Sequence, residues 1–333
     1  MYAVWYERLG PADQVLHFGE MEVPSLGPDE VRVRVHTSGV NPSDVKRRSG
    51  TSNLPLPFPR IIPQSDGAGV IEAVGTNVSP SRIGERVWLW NAQFGRPLGT
   101  AAEYVVLPGA QTVHLPDTVD FETGACLGIP ALTAHRCLFA DGPVRGQTIL
   151  ITGGAGAVGY AAIQLAKWGG ATVITTVSSP EKAAVAQAAG ADYVLDYRRE
   201  DVATRIGEIT SGNGVDRIVD VAFGQNVTLD VSVIKANGVI ATYGSDADAY
   251  PPLPFYELLR KDITVRFILV YLLPDGARQQ GIDDVNAALE AGALRPIIAT
   301  RFPLRETVQA HQAVESGKLI GNAIIDIAEG AKS

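Results

Sequence analysis

Cysteine is scarce: Cys126 and Cys137 are the only two in 333 residues, eleven positions apart in apolar surroundings, with no CxxC pair and no Cys/His cluster at metal-ligand spacing. A disulfide framework and a structural zinc lobe are therefore not expected. Charge is sparse as well, at 19% of residues, and it leans acidic: 28 Lys plus Arg stand against 36 Asp plus Glu, a net −8. That balance does not suit neutralisation of nucleic acid. Long apolar runs are missing. The longest, Phe267 to Leu273, is far too short to cross a bilayer, and the N-terminal MYAVWYERLG lacks a basic head followed by an apolar stretch. These absences predict a soluble, cytoplasmic protein with no membrane partner. No internal repeat, Ser-His-Asp arrangement or nucleophilic Cys motif occurs, and His17, His36, His114, His135 and His311 have no repeated spacing. What is present is a composition 46% apolar, over a length that suits roughly two domains of about 150 residues.

From residue 1 to about 120 the pattern is one of short strands. Val31, Val33 and Val35 alternate with Arg32, Arg34 and His36, and β-rich pieces follow at Gly69–Val74, Arg86–Trp90 and Tyr104–Leu107. The proline-rich stretch Leu54–Pro63 predicts an ordered surface loop. After about residue 122 the texture becomes alternating apolar strands and Ala-rich helices: Thr148–Ile151, Ala157–Trp168, Thr172–Val177, Glu181–Ala189, Tyr193–Leu195, Val202–Ile209 and Arg217–Val221. This rhythm predicts an α/β fold with a doubly wound parallel sheet. Periodicity alone does not decide whether the stretch from about 268 completes this domain or returns to the first.

One motif stands in its required context. The apolar strand from Thr148 runs into Gly154-x-Gly156-x-x-Gly159, and an amphipathic helix follows to Trp168. Gly154 permits the tight turn, Gly156 lets backbone approach a pyrophosphate, Gly159 allows close helix packing, and the N–H groups at the helix start face the anion. The next strand, Thr172–Val177, ends in Ser178-Ser-Pro-Glu-Lys182, where an NAD-preferring site would place a carboxylate for the ribose hydroxyls. Ser178 and Lys182 suit a 2′-phosphate instead, which points to NADPH. Lys182 also reads as a solvated helix-surface charge, and Ser179 as a simple N-cap.

With these residues in view, the sequence resembles the zinc-independent quinone oxidoreductases of the medium-chain dehydrogenase/reductase superfamily, the ζ-crystallin-like group. The resemblance is carried by Ser38-Gly-Val-Asn-Pro-Ser-Asp44, Ser65-Asp-Gly-Ala-Gly-Val-Ile-Glu-Ala-Val-Gly75, Gly128-Ile-Pro-Ala-Leu-Thr-Ala134, Gly153–Gly159 and the closing His311…Gly321-Asn322 segment. It implies a GroES-like β-rich catalytic domain built from both chain ends (1–122 and 268–333) and an inserted Rossmann domain (123–267), with the cofactor in the cleft between them. It places cofactor contacts on Thr133, on Gly154, Ala155, Gly156, Ala157, Val158 and Gly159, and on Ser178, Lys182, Tyr197 and Asn226. Further contacts fall on Thr242, Tyr243, Gly244 and Ser245, on Phe267, Ile268 and Leu269, and on Asn322.

Zinc-dependent members of that superfamily need a Cys where this chain has Asn41 and a His where it has Ser65, so the resemblance implies no metal. Without a Lewis acid, alcohol oxidation is disfavoured, and a conjugated acceptor such as a quinone becomes the expected small-molecule partner. Asn41, Asp44, Lys46 and Gln64 are the candidates for the reacting centre, with Asn41 as amide donor. Lys46 stands where many members carry a Tyr. Asn41-Pro-Ser-Asp44 is equally a turn composition, and Asp44 a helix cap. An alkenal or enoyl-thioester reductase, and a non-catalytic NADPH- or RNA-binding crystallin-like protein, are the alternative readings. A homodimer is expected from the resemblance and from the apolar run Ile263–Tyr271, which reads as a sheet-extending strand.

Overall fold

A computed structural model describes residues 1–51 and 54–327, and these fall into two compact units: 1–129 with 296–333, and 130–295. The last six positions of the terminal segment lie outside the described residues.

The terminal unit opens with β1 (Tyr2–Trp5), α1 (Ala12–Val15) and β2 (His17–Glu20), then β3 (Glu30–Val40), α2 (Pro42–Ser49) and β4 (Asp66–Val74). It continues through β5 (Arg86–Leu89), β6 (Tyr104–Pro108), β7 (Thr112–His114) and α3 (Phe121–Gly124). β3 is its spine. Val31, Val33 and Val35 are buried, as the alternation requires, and β3 pairs antiparallel with β4, with β6 and with a C-terminal strand. The proline-rich stretch is loop over Leu54–Arg60, but Ile61 bridges to Tyr6 and both Ile61 and Ile62 are buried in the core. Its far end is thus an anchor rather than surface.

In the central unit, α4 (Leu132–Phe139) precedes β8 (Thr148–Thr152), α5 (Ala157–Trp168), β9 (Thr172–Val177), α6 (Pro180–Ala188), β10 (Tyr193–Asp196) and α7 (Val202–Ile209). Then follow β11 (Val215–Asp220), α8 (Phe223–Val233), β12 (Ile234–Thr242), α9 (Phe255–Arg260), β13 (Thr264–Phe267) and α10 (Asp275–Glu290). The six strands are all parallel in the order β10-β9-β8-β11-β12-β13. This is the doubly wound dinucleotide-binding order, whose connections depart in opposite directions from β8 and β11 and leave a crevice beyond their carboxyl ends. β13 is an edge strand of four residues, shorter than the run Ile263–Tyr271 suggests; the chain breaks into a single helical turn at Val270–Leu272.

Residues 268–295, expected with the chain ends, belong to this central unit. α10 packs on α4, where His135 Nε2 and Asp284 Oδ2 lie 2.7 Å apart, and Gln164 on α5 accepts the backbone N–H of Arg295 at 2.9 Å. The chain then returns to the terminal unit as β14 (Ile298–Pro303), α11 (Thr307–Glu315) and β15 (Asn322–Asp326), the last pairing with β3. Among the described residues no helix is long and apolar enough to cross a membrane.

Candidate functional site

The turn after β8 is shaped by its glycines. Gly153 has φ +69°, and Gly156 then caps α5 with its N–H bonded to the Gly153 carbonyl at 2.9 Å. The first-turn N–H groups of α5 have no carbonyl within the helix to bond. A Cβ on Gly159 would lie 2.3 Å from the Gly153 oxygen, and one on Gly154 would lie 2.1 Å from Thr175 Oγ1. At Gly156 a Cβ would meet only the Gly153 oxygen, at 3.4 Å, so the protein's own packing leaves open space there. An open cradle at a helix N-terminus fits a nucleotide pyrophosphate.

Ser178, Lys182 and Tyr197 gather at the carboxyl end of β9. Lys182 Nζ donates to Ser178 Oγ at 3.2 Å, Ser179 Oγ caps α6 by accepting the Lys182 N–H, and the Tyr197 N–H bonds the Val177 carbonyl. Beyond β12 and β13 a pocket of about 240 Å³ is lined by Thr242, Tyr243, Gly244, Ser245, Phe267, Ile268 and Leu269, together with Phe223. Seven sequence candidates are brought together here. Phe223, which sequence reading missed, meets Phe267 edge-on at 5.7 Å, and only the end of the apolar strand Arg217–Val221 hinted that its neighbourhood would line a site. Asn226 sits half-buried on the first turn of α8, and Thr133 is buried on α4. Asn322, in the terminal unit, is buried with its amide donating to the Ile297 carbonyl at 3.0 Å.

In the terminal unit Asn41 caps α2, with Pro42 in the first helical position and its own N–H bonded to Asp44 Oδ2 at 2.8 Å. Its side-chain Nδ2 donates to Asp66 Oδ2 at 2.8 Å, so one of the two amide hydrogens is already engaged. Asp66 also accepts the Ile129 N–H, while its Oδ1 is buried with no partner among the described residues. Burial pushes the Asp44 carboxyl up to about 7 against the pull of the Asn41 and Ser65 N–H groups. Burial raises Asp66 well above the usual carboxylate range, and the neighbouring Asp44 adds to it.

Gln64 is wholly buried in a left-handed conformation, φ +71°, with Nε2 2.9 Å from His311 Nε2. Burial, with the Arg48 charge second, pushes His311 down to about 3, so its imidazole is neutral and accepts from the glutamine. Lys46 lies half-buried on α2. Asp66 and His311 are not among the sequence candidates; a carboxylate directly before the apolar run 67–71 of β4 is the signal that marks the first.

Two family patterns match the chain. One described as "Alcohol dehydrogenase GroES-like domain" covers residues 27–117, and one described as "Zinc-binding dehydrogenase" covers 157–289. The zinc in the second description does not fit these residues: Asn41 and Ser65 offer an amide and a hydroxyl, and no group of three or more His, Cys, Asp or Glu among the described residues could hold a metal ion. The quinone oxidoreductase of Rattus norvegicus is 31% identical, covering 94% of this chain and 97% of that protein. A 2-haloacrylate reductase from Burkholderia is 30% identical over 98% of both. The solved structure of an Escherichia coli quinone oxidoreductase complexed with NADPH superposes with a TM-score of 0.85 at 25% identity, covering 98% of this chain and 100% of that one. With its terminal β-rich unit, its inserted doubly wound unit and these relatives, the chain belongs to the quinone oxidoreductase family of the medium-chain dehydrogenase/reductase superfamily and is an oxidoreductase.

Proposed function

We propose that the protein is an NADPH-dependent, metal-independent reductase of quinones and related conjugated carbonyls. The observation that carries this reading is the end of β9, where Ser178 Oγ and Lys182 Nζ lie 3.2 Å apart in the position at which a carboxylate would select NAD. The glycine turn and the start of α5 would hold the pyrophosphate, and the Thr242–Ser245 and Phe267–Leu269 segments would flank the nicotinamide. Bound there, the reduced nicotinamide supplies a hydride. Asn41 and Lys46 are the donors that would meet negative charge growing on the acceptor oxygen. Asp44, poised near neutrality by burial, holds Asn41 in register through the reciprocal cap.

A double-bond reductase is the second reading, favoured by the 2-haloacrylate reductase among the relatives. A steady-state screen of NADPH and NADH against quinones, alkenals, haloacrylate and enoyl thioesters separates the two; oxidation of NADPH beside none of them would remove both. Lys182→Glu should raise KM for NADPH roughly 10-fold or more, the size of one lost charge-assisted contact, and leave NADH within about twofold. Equal weakening of both coenzymes would overturn the 2′-phosphate assignment.

A homodimer through the edge strand β13 is part of the same proposal. Leu272 and, on α9, Phe255 and Tyr256 are each more than half exposed, apolar surface that a second copy would cover. Sedimentation at micromolar concentration should show a dimer, and a monomer throughout would refute it.

A further inference from the structure

The crevice of the central sheet is spanned by one carboxylate that the proposed reaction does not use. Asp220 ends β11, its neighbour Thr152 ends β8, and both are buried. Asp220 Oδ1 accepts from Thr152 Oγ1 at 2.7 Å, from Asn226 Nδ2 at 2.8 Å and from the Ala222 N–H at 3.0 Å. Thr152 Oγ1 in turn accepts the Val221 N–H at 3.0 Å. A single oxygen thus fixes the ends of both switch-point strands, the turn at 221–222 and one side chain of α8.

We propose that Asp220 is a positioning residue of the nucleotide site, setting the flip of the Asn226 amide, and that Asp230, one turn of α8 beyond Asn226, carries the proton that satisfies the second oxygen of Asp220. The inference rests on the NADPH reading above. Because Asp220 can only accept, it draws the nitrogen of Asn226 toward itself; Asn226 Oδ1, which has no partner among the described residues, is then the end left for a donor on the ligand, such as a ribose hydroxyl.

The proton follows from the chemistry of two facing acceptors. Asp220 Oδ2 and both oxygens of Asp230 are buried and receive no N–H or O–H from described residues, and Asp230 lies one turn of α8 beyond Asn226, on the face that bonds Asp220. Two buried carboxylates cannot stand together unless one keeps its proton. Burial, then the neighbouring Asp220, raises Asp230 well above the ordinary carboxylate range. The other titratable groups that sense Asp220 are Cys137 of α4 and Tyr243 after β12, both held neutral by burial.

The test is a double-mutant cycle on NADPH dissociation constants, read by fluorescence with melting temperatures alongside. Asn226→Ala should weaken NADPH about 10-fold and Asp220→Asn about 5-fold, amounts typical of single hydrogen bonds to a ligand. The double variant should be no weaker than Asn226→Ala alone, because Asp220 acts through Asn226. Asp230→Asn, whose amide replaces the donated proton, should stay within about twofold of wild type. Additive losses, an Asp220→Asn variant that binds as wild type, or a tenfold loss in Asp230→Asn would overturn the proposal. If Asp220→Asn does not fold, Thr152→Val takes its place in the cycle, with the same non-additivity expected and additivity refuting it. Wild-type protein that ignores NADPH would instead sink the coenzyme reading itself.

Discussion

Gly156→Ala should leave the protein folded, with a melting temperature within about 3 °C of wild type, and weaken NADPH by roughly 30-fold or more, whereas Gly159→Ala should lose stability outright. The two glycines are three residues apart in one motif and differ in what they serve. Gly156 has φ −80° and ψ 164°, a conformation open to any residue, and its added Cβ would touch only the Gly153 oxygen at an ordinary 3.4 Å. The methyl would occupy the side from which a pyrophosphate approaches, displacing it from the α5 N–H groups, each such charge-assisted bond being worth about 1.5–3 kcal/mol. At Gly159 the methyl would be driven to 2.3 Å from the Gly153 carbonyl and 3.1 Å from Gly154 Cα, all backbone. Overpacking of that kind costs about 1–3 kcal/mol or more. Calorimetric titration with NADPH and thermal melts on both variants decide it; a Gly156→Ala protein that binds like wild type would show that no phosphate lies there.

Asp44→Asn should flatten the loss of stability that wild type shows as pH rises. A carboxyl whose folded value is raised stabilises the folded state fully only below its unfolded value of 3.8, and the contribution is lost as pH climbs through about 7. At about 1.4 kcal/mol per unit, the difference between pH 4 and pH 8 is on the order of 4 kcal/mol. His311 works in the opposite sense. Pushed down to about 3, it stabilises above its unfolded 6.5 and loses that contribution as pH falls toward 3. Asparagine at position 44 keeps an acceptor for the Asn41 and Ser65 N–H groups without a charge to desolvate. Relative to wild type, the variant should therefore gain roughly 5 °C in melting temperature between pH 5 and pH 8. Parallel pH profiles for the two proteins would show that Asp44 is ionised and comfortable at neutrality.

Much of this architecture is legible in the chain because it rests on periodicity. The helix Ala157–Trp168 and the alternation at Val31, Val33 and Val35 stand as read, and the glycine turn falls between strand and helix. Those features are local, and their spacing states them. What could not be read depends on partners far apart in sequence. Asp66 is paired with Asn41, Gln64 with His311, and His135 with Asp284. None of these pairings has a spacing rule. The placement of 268–295 went astray for the same reason, since α10 belongs with α4 through side-chain packing and not through a change of texture. The candidates at the reacting centre show a related limit. Sequence offers Asn41 as an amide donor with Gln64 beside it, but only three-dimensional placement reveals that each spends one amide hydrogen within the fold, Gln64 on His311 and Asn41 on Asp66.

The pairing of β15 with β3 carries a consequence for how the chain is made. Ala323 lies opposite Val40 and Ile325 opposite Ser38, while buried Arg48 on α2 binds Glu315 on α11. During synthesis the first 129 residues must wait for the last segment before their sheet is complete, whereas residues 130–295 form a contiguous unit able to fold while the C-terminal strands are still inside the ribosome. Until then β3 has an unpaired flank over the residues that β15 will cover, a strand edge open to wrong pairing.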